Sequence, residues 1–327
     1  MSDQRVRWGI LGTGKIAGKF VSDLPLVPGA ELAAVGSRTQ ASAEKFAAEH
    51  GAARAHGSWD ALAADPDVDV VYIATPHIAH VAATTLCLEA GKAVLVEKPM
   101  ALDRPAAQRL TDLAAARGVF LMEAMWMRCH PGIRAVRQLV ADGAIGDVTA
   151  VHADFGLAGP FEPTHRLRDR ALGGGALLDL GIYPVNIAHL VLGAPSSVQA
   201  WARLTPEGVD ATTGILLGHD SGAVAALTCG IEGESRNQAT ITGTAGRIEL
   251  PTRFHYPEVV TVHRTGRDPE VLEFPVEGWG YHFEAAEVQR CVLAGERESP
   301  LVPHAATLEV LDVMDRVRAQ VGVVYEP

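Results

Sequence analysis

The sequence predicts an α/β protein in two parts: a doubly wound parallel sheet covered by helices, then a second α/β domain with an open, mainly antiparallel sheet. Three observations predict this. Apolar strand-like runs alternate with helix-like segments over the first third of the chain. The first switch from strand to helix carries Gly12-x-Gly14-x-x-Ala17. Beyond about residue 125 the pattern changes to strand-like runs joined by short connections with Gly and Asp. The length, 327 residues, suits two domains at roughly 100–200 residues each. The expected division is 1–124 for dinucleotide binding and 125–327 for substrate binding and oligomerisation.

The first domain reads in order. Val6–Leu11 is a strand and Lys15–Ser22 a helix; Glu31–Gly36 is a strand and Ala41–His50 a helix. Asp69–Ala74 is a buried strand, and Ile78–Ala90 a helix ended by Gly91. Ala93–Val96, a helix over Asp103–Arg117 ended by Gly118, and the strand Val119–Glu123 complete the series. Continuous apolar strands alternating with helices imply a parallel sheet with both faces covered, wound by right-handed crossovers.

In the second domain a helix over Ile133–Asp142 leads to the strand Val148–Phe155. Gly173-Gly174-Gly175 precedes a helix from Ala176 to Leu192. Six strand-like runs follow: Val198–Leu204, Thr213–Leu217, Ala223–Ile231, Gln238–Thr242, Val259–Arg264 and Val271–Phe274. Helices over Phe283–Leu293 and Ala305–Val321 close the chain.

Composition narrows the function. The formal net charge is -11 and no block of Lys or Arg occurs, so nucleic acid and anionic membrane surfaces are not expected partners. The uncharged stretch Leu180–Ala202 contains Pro184, Asn186, His189, Pro195 and Gln199, which marks a buried helix, turn and strand in place of a membrane span. Cys87, Cys129, Cys229 and Cys291 are widely spaced without ligand partners. Reduced thiols, a cytoplasmic setting and no metal are expected. The N-terminus carries charges where a signal peptide would be apolar.

The glycine pattern carries a chemical meaning. Gly12 permits a tight turn, Gly14 lets a pyrophosphate approach the backbone, and Ala17 lets helix and strand pack closely. The phosphates then lie over the unpaired amides at the positive end of the helix. This is the Rossmann arrangement. Selectivity for the cofactor without a 2′-phosphate usually places Asp or Glu at the tip of the second strand. Here the tip reads Gly36-Ser37-Arg38, and Glu31 lies at the wrong end. Arg38 can pair with a 2′-phosphate and Ser37 can donate to it. NADP(H) is therefore favoured, with NAD(H) possible.

Other candidates sit where strands end, at the edge that binds ligand in open α/β sheets. Thr75-Pro76-His77 follows one strand, with His80 a turn later; His77 and His80 read equally as structural or ligand-contacting. Glu97-Lys98-Pro99 follows the next, where Lys98 can polarise a hydroxyl or be an ordinary loop lysine. A cis peptide before Pro99 is expected. Trp126 reads as a substrate-pocket wall or a core aromatic. Asp179 and Tyr183, at i and i+4, share one face of an apolar helix and need partners or a cleft. An ammonium such as Lys98 near Tyr183 lowers its pKa, making a workable acid–base pair. A buried, hydrogen-bonded tyrosine is the competing reading.

Taken together, Gly12-Thr13-Gly14-Lys15-Ile16-Ala17, Ala74-Thr75-Pro76-His77-Ile-Ala-His80, Ala90-Gly91-Lys92, Glu97-Lys98-Pro99 and the Asp179–Tyr183 helix resemble the Gfo/Idh/MocA oxidoreductases over nearly the whole chain. Many members carry Asp-x-x-x-His on that helix. Tyr183 in the histidine place resembles the branch of dimeric dihydrodiol dehydrogenases, NADP-dependent aldose (xylose) dehydrogenases and glucose–fructose oxidoreductase. So do Leu121–Trp126, Gly174–Tyr183 and Glu298–Pro303. The resemblance implies that Lys98, Tyr183 and Asp179 are catalytic. It implies cofactor contacts from residues 12–16, Ser37, Arg38, Thr75, Pro76, His77, His80, Glu97 and Lys98, and substrate contacts from Trp126, Phe155, Asp179 and Tyr183. It also implies a homodimer or homotetramer through the C-terminal sheet. Met127-Arg128-Cys129-His130 and Pro184 depart from the branch's pattern and leave the substrate open.

The expected activity is hydride transfer between nicotinamide and a secondary alcohol of a cyclic sugar or trans-dihydrodiol. Three alternatives share the fold: a cofactor-binding regulator without turnover, an NAD-assisted glycoside hydrolase, and an enzyme whose tightly bound cofactor cycles between two sugars.

Overall fold

The structure is a computed structural model and describes residues 5–325. It divides into two compact units, and neither is one stretch of chain. The first runs to Cys129 and also takes in Val276–Thr307; the second comprises His130–Pro275 and the chain from Leu308. This corrects the expected single boundary at residue 124. The physical reason lies in backbone groups of the late segment. The amides of Trp279 and Tyr281 donate to the buried carboxylate of Asp23 at 2.9–3.0 Å, and Leu121 donates its amide to the Arg297 carbonyl at 3.1 Å.

In the first unit, β1 (Val6–Leu11), β2 (Ala30–Gly36), β3 (Arg54–His56), β4 (Val70–Ile73), β5 (Ala93–Glu97) and β6 (Leu121–Ala124) form a six-stranded sheet in the order β3-β2-β1-β4-β5-β6. Every pairing is parallel. All residues of β4, β5 and β6 are buried, as a sheet covered on both faces requires. The helices are α1 (Lys15–Asp23), α2 (Gln40–His50), α3 (Trp59–Ala63), α4 (His80–Glu89) and α5 (Arg104–Arg117). Thr39, Ser58 and Asp103 cap α2, α3 and α5 with their side-chain oxygens. The strand β3 and helix α3 escape sequence reading. Arg54-Ala-His56 offers no apolar run, and α3 has only five residues.

The second unit opens with α6 (Pro131–Ala141) and holds an eight-stranded sheet. Its strands are β7 (Val148–Gly156), β8 (Ser197–Leu204), β9 (Asp210–Gly218), β10 (Val224–Gly230), β11 (Ala239–Gly243), β12 (Gly246–Leu250), β13 (Val259–Arg264) and β14 (Glu270–Glu273). The order is β14-β13-β12-β11-β7-β10-β9-β8, antiparallel except between β7 and β10. The short β12, hidden among turn residues, is absent from the sequence reading. A π-helical turn, Leu177–Gly181, runs into α7 (Ile182–Leu192), and both pack on the sheet. Helix α8 (His282–Leu293) belongs to the first unit, and α9 (His304–Val321) ends the fold. Gln320 of α9 bonds the backbone of Ala200 and Val198 at 2.9 Å. Arg170–Leu192, long and apolar enough to cross a membrane, is mostly buried within the protein.

Candidate functional site

The first unit gathers its candidates where the parallel strands end. Gly12 follows β1 with φ +113°, a region L side chains rarely enter, and a Cβ there would lie 2.7 Å from the Ala74 carbonyl oxygen. Gly14 is the N-cap of α1. A Cβ on Gly14 would meet nothing within 4 Å among the described residues. The space beside Gly14, at the positive end of α1, is therefore open. Lys15 is exposed, and Thr13 and Ile16 are half-buried.

At the tip of β2, Ser37 is buried and its amide donates to the His56 carbonyl at 3.0 Å. Arg38 is exposed and has no ion-pair partner among the described residues. Beyond β4, the Thr75 hydroxyl is buried without a hydrogen-bond partner among the described residues. Pro76 is exposed and His77 half-buried. An open glycine, an orphaned hydroxyl and an exposed guanidinium fit a phosphorylated dinucleotide.

His80 corrects an expectation. It is fully buried, with Nδ1 2.8 Å from the Pro99 carbonyl and Nε2 2.9 Å from the Thr75 carbonyl. Two facing carbonyls favour the imidazolium, but burial and the Lys98 ammonium together hold its pKa below the ordinary value. With no surface to offer, His80 is a strut between the loops after β4 and β5, not a cofactor contact.

The Lys98–Pro99 peptide is cis, as expected. Glu97 is also placed differently from expectation: it is buried and turned inward. Its Oε1 accepts from the Tyr72 hydroxyl, and Oε2 accepts from the Lys98 amide at 3.2 Å. Burial and the neighbouring Glu97 carboxylate push the Tyr72 phenol well up. Glu284 of α8 is fully buried, and neither carboxyl oxygen has a partner among the described residues. Burial, then repulsion from Glu97, raises it well above the carboxylate range. Burial likewise raises Glu123, which accepts from the Met100 amide at 3.0 Å and the Thr307 hydroxyl at 2.9 Å. Lys98 is half-buried and its charge favours ionised Glu123. Trp126 is largely buried, its ring 4.9 Å from that of Tyr281.

The second unit assembles the others. Asp210 of β9 is buried and accepts from the Leu177 amide at 2.8 Å and the Thr213 hydroxyl at 2.7 Å. Burial raises its pKa to about 6. This carboxylate fixes the start of the π turn, and Gly175, at φ +116°, leaves room for it: a Cβ there would lie 2.3 Å from Asp210 Oδ1. Pro184 has no amide to give the Leu180 carbonyl, and the turn just before it is the wider π form. In an α-helix four residues rotate about 400°. The wider turn removes part of that overshoot and brings Asp179 and Tyr183 closer to alignment.

Tyr183 is almost buried. Its ring lies 5.5 Å from Phe155 at the end of β7 and 4.9 Å from His255, and Phe155 and His255 stack at 4.7 Å. Asp179 is held by Arg166, whose two terminal nitrogens donate to its two oxygens at 2.9 and 3.0 Å. Phe155 and Tyr183 thus lie side by side, and Asp179 stands four residues before Tyr183 in the π turn that runs into its helix. Sequence reading missed His255, though the aromatic run Phe254-His255-Tyr256 was a signal. It also missed Arg166, Tyr72 and Glu284. Tyr72, a polar-tipped ring in a buried strand, was visible; the other two carry no local mark.

Comparison with known proteins accords with this geometry. Residues 6–125 match the oxidoreductase family with an NAD-binding Rossmann fold, and residues 133–249 match the GFO/IDH/MocA C-terminal domain. The trans-1,2-dihydrobenzene-1,2-diol dehydrogenase of Bos taurus is 36% identical over 335 residues, covering 98% of each chain; that of Danio rerio is 38% identical with the same coverage. Among solved structures, KijD10, a 3-ketoreductase from Actinomadura kijaniata in complex with NADP and TDP-benzene, superposes with a TM-score of 0.86 at 31% identity, covering 99% of this chain and 100% of that one. The aldose-aldose oxidoreductase of Caulobacter crescentus reaches 0.88 at 26% identity, covering 97% of both. These relatives are enzymes, and the chain is an oxidoreductase that binds a nicotinamide cofactor and a small-molecule substrate. It belongs to the GFO/IDH/MocA family.

Proposed function

We propose that the protein is an NADP(H)-dependent dehydrogenase acting on a secondary alcohol of a cyclic sugar or a trans-dihydrodiol. The observation that carries this reading is the full-length likeness to trans-dihydrodiol dehydrogenases, with Lys98 and Tyr183 in the places that the family resemblance assigns to catalysis. The preference for NADP rests on the exposed Arg38 at the tip of β2.

The proposed roles follow from chemistry. The phenol of Tyr183 takes the proton of the substrate hydroxyl. A free tyrosine, with a pKa near ~10, is a weak base at neutral pH, and Lys98 is the residue that the family resemblance assigns to its activation. Phe155 and His255 give the substrate ring an apolar flank. The nicotinamide, when bound, supplies the hydride acceptor, and the protein supplies placement. Gly14 and the α1 amides hold the phosphates, with Thr13, Lys15 and Ile16 around them. Ser37 and Arg38 hold the 2′-phosphate, while Thr75, Pro76 and His77 border the crevice. Trp126 contributes to the substrate pocket.

The outer face of the eight-stranded sheet exposes Trp201, Leu216 and Val224. We assign it to self-association as a dimer or tetramer, since contiguous apolar patches of this kind mark interfaces. Four buried free cysteines accord with a cytoplasmic setting.

Tyr183→Phe tests the central assignment. It should keep NADPH affinity and lose roughly a hundred- to ten-thousand-fold in turnover in NADP reduction assays with aldoses, inositols and dihydrodiols. Undiminished turnover would refute the role of Tyr183.

A further inference from the structure

Two non-glycine residues among those described have positive φ, Asn237 at 55° and Arg253 at 65°. L side chains visit this region rarely, and such outliers gather at functional sites. Here both flank the segment that carries the His255 ring. Strand β11 pairs antiparallel with β7, and the pairing runs on to Gln238, whose carbonyl accepts from the Asp154 amide at 3.1 Å. At Asn237 the backbone turns away from that register. Its amide donates to the Asp154 carboxylate at 2.8 Å, and its carbonyl accepts from the Phe254 amide at 3.1 Å. Its side-chain oxygen accepts from the Gly156 amide at 2.9 Å, an amide shared with the Ser235 hydroxyl at 2.7 Å. Asn237 thus holds the residue on each side of Phe155 and the residue before His255. Asparagine suits the place twice. It enters the left-handed region more readily than most side chains, and its oxygen replaces the ladder acceptor lost at the turn. Gly156 completes the fit: a Cβ there would lie 2.6 Å from the Gly233 carbonyl oxygen.

We propose that Asn237 is a positioning residue for the reaction, fixing Phe155 and His255 as two corners of a three-ring cluster that orients the phenol of Tyr183. The inference rests on the reading of Tyr183 as the reactive group. Each ring packs on the other two. Centroids are 4.7 Å apart for Phe155 and His255, 4.9 Å for Tyr183 and His255, and 5.5 Å for Phe155 and Tyr183. The helix restricts the first torsion of Tyr183, but the second is broad and is set by what packs on the ring. Phe155 comes from the end of β7 and His255 from the loop between β12 and β13. Asn237 bonds both segments, so it sets the spacing of the two rings that hold the third. Reacting groups tolerate little displacement, and a shift of about 1 Å costs about 100-fold in rate. A residue that touches no substrate can therefore govern turnover.

The test is Asn237→Gly, which keeps the left-handed backbone and removes the side-chain link. Proton–carbon correlation NMR records the histidine-ring signals of the NADPH-loaded protein well below its unfolding temperature. His255→Gln identifies the His255 signal, which the ring currents of Phe155 and Tyr183 displace. In Asn237→Gly that signal should move toward the position of a free histidine. The kcat for NADP reduction by aldoses, inositols and dihydrodiols should fall roughly 10- to 100-fold, with NADPH affinity unchanged. Asn237→Asp, which keeps an acceptor oxygen and tolerates the same φ, should recover part of both. An unmoved His255 signal, or an undiminished kcat beside a moved signal, would overturn the proposal. So would a loss of NADPH affinity as large as the loss in kcat. Normal turnover in Tyr183→Phe would instead sink the reading of Tyr183 and leave standing the ring clamp, which the NMR signal reports without substrate.

Discussion

The hydroxyl of Tyr72, in the centre of the parallel sheet, donates to the carboxylate of Glu97, and the same carboxylate accepts the amide of Lys98. The residue proposed to activate the phenol is thus tied through its own backbone to a fully buried strand. Tyr72→Phe removes one donor without changing shape. The expected cost is about 1–3 kcal/mol of stability, the usual range for a lost buried bond to a charged group. Turnover should fall through kcat more than through cofactor affinity. Chemical denaturation and steady-state kinetics check this; an unchanged kcat would separate Glu97 from the placement of Lys98.

Glu284 gives a pH-dependent stability effect with a definite sign. Its folded pKa is raised well above the ordinary 4.5 by burial and by Glu97. Native Glu284 therefore keeps its proton where the unfolded chain has released it. Below the unfolded value there is no penalty. As pH rises from there toward the folded value, native stability falls by at most ~1.4 kcal/mol per pH unit. Glu284→Gln removes this titration. Its stability relative to wild type should climb as pH rises above the ordinary 4.5 toward the raised native value in denaturant titrations. A flat difference would show that Glu284 is not protonated in the native state.

Arg38→Ala should weaken NADPH by roughly 10- to 100-fold, as expected for a charge-assisted phosphate contact, and leave NADH within about twofold. Fluorescence titration of both cofactors decides. Equal loss for the two would remove the basis for NADP preference.

Trp201 is 84% exposed on the outer sheet face. If that face joins copies of the chain, Trp201→Arg should cost about 2 kcal/mol or more of association energy, as loss of a central aromatic anchor does. Light scattering across a concentration series should then show a smaller species than the parent protein. The same mass for both at every concentration would place the interface elsewhere.

Much of the fold was legible because its signals are local. The apolar runs of β1, β4 and β5, the glycine that ends α5, and the Gly12–Gly14 turn each announce themselves within a dozen residues. Helix spacing alone put Asp179 and Tyr183 on one helical run, whereas Phe155 was named only through the family resemblance. What stayed hidden depends on distant partners. His80 has the sequence context of a ligand contact, yet two backbone carbonyls absorb its ring. Glu284 is an ordinary helical glutamate until the fold buries it beside Glu97. Arg166 is one of several loop arginines, and only its meeting with Asp179 distinguishes it.

The return of Val276–Thr307 to the first unit has a consequence for biosynthesis. A ribosome delivers the β1–β6 segment early, but the groups that satisfy Asp23, Glu123 and the edge of β6 come from residues near the end of translation. Folding of the nucleotide-binding half thus cannot finish as that segment emerges; it waits for nearly the whole polypeptide. An expressed fragment cut after residue 124 would expose those buried carboxylates and an unpaired strand edge, and would be recovered as an aggregate.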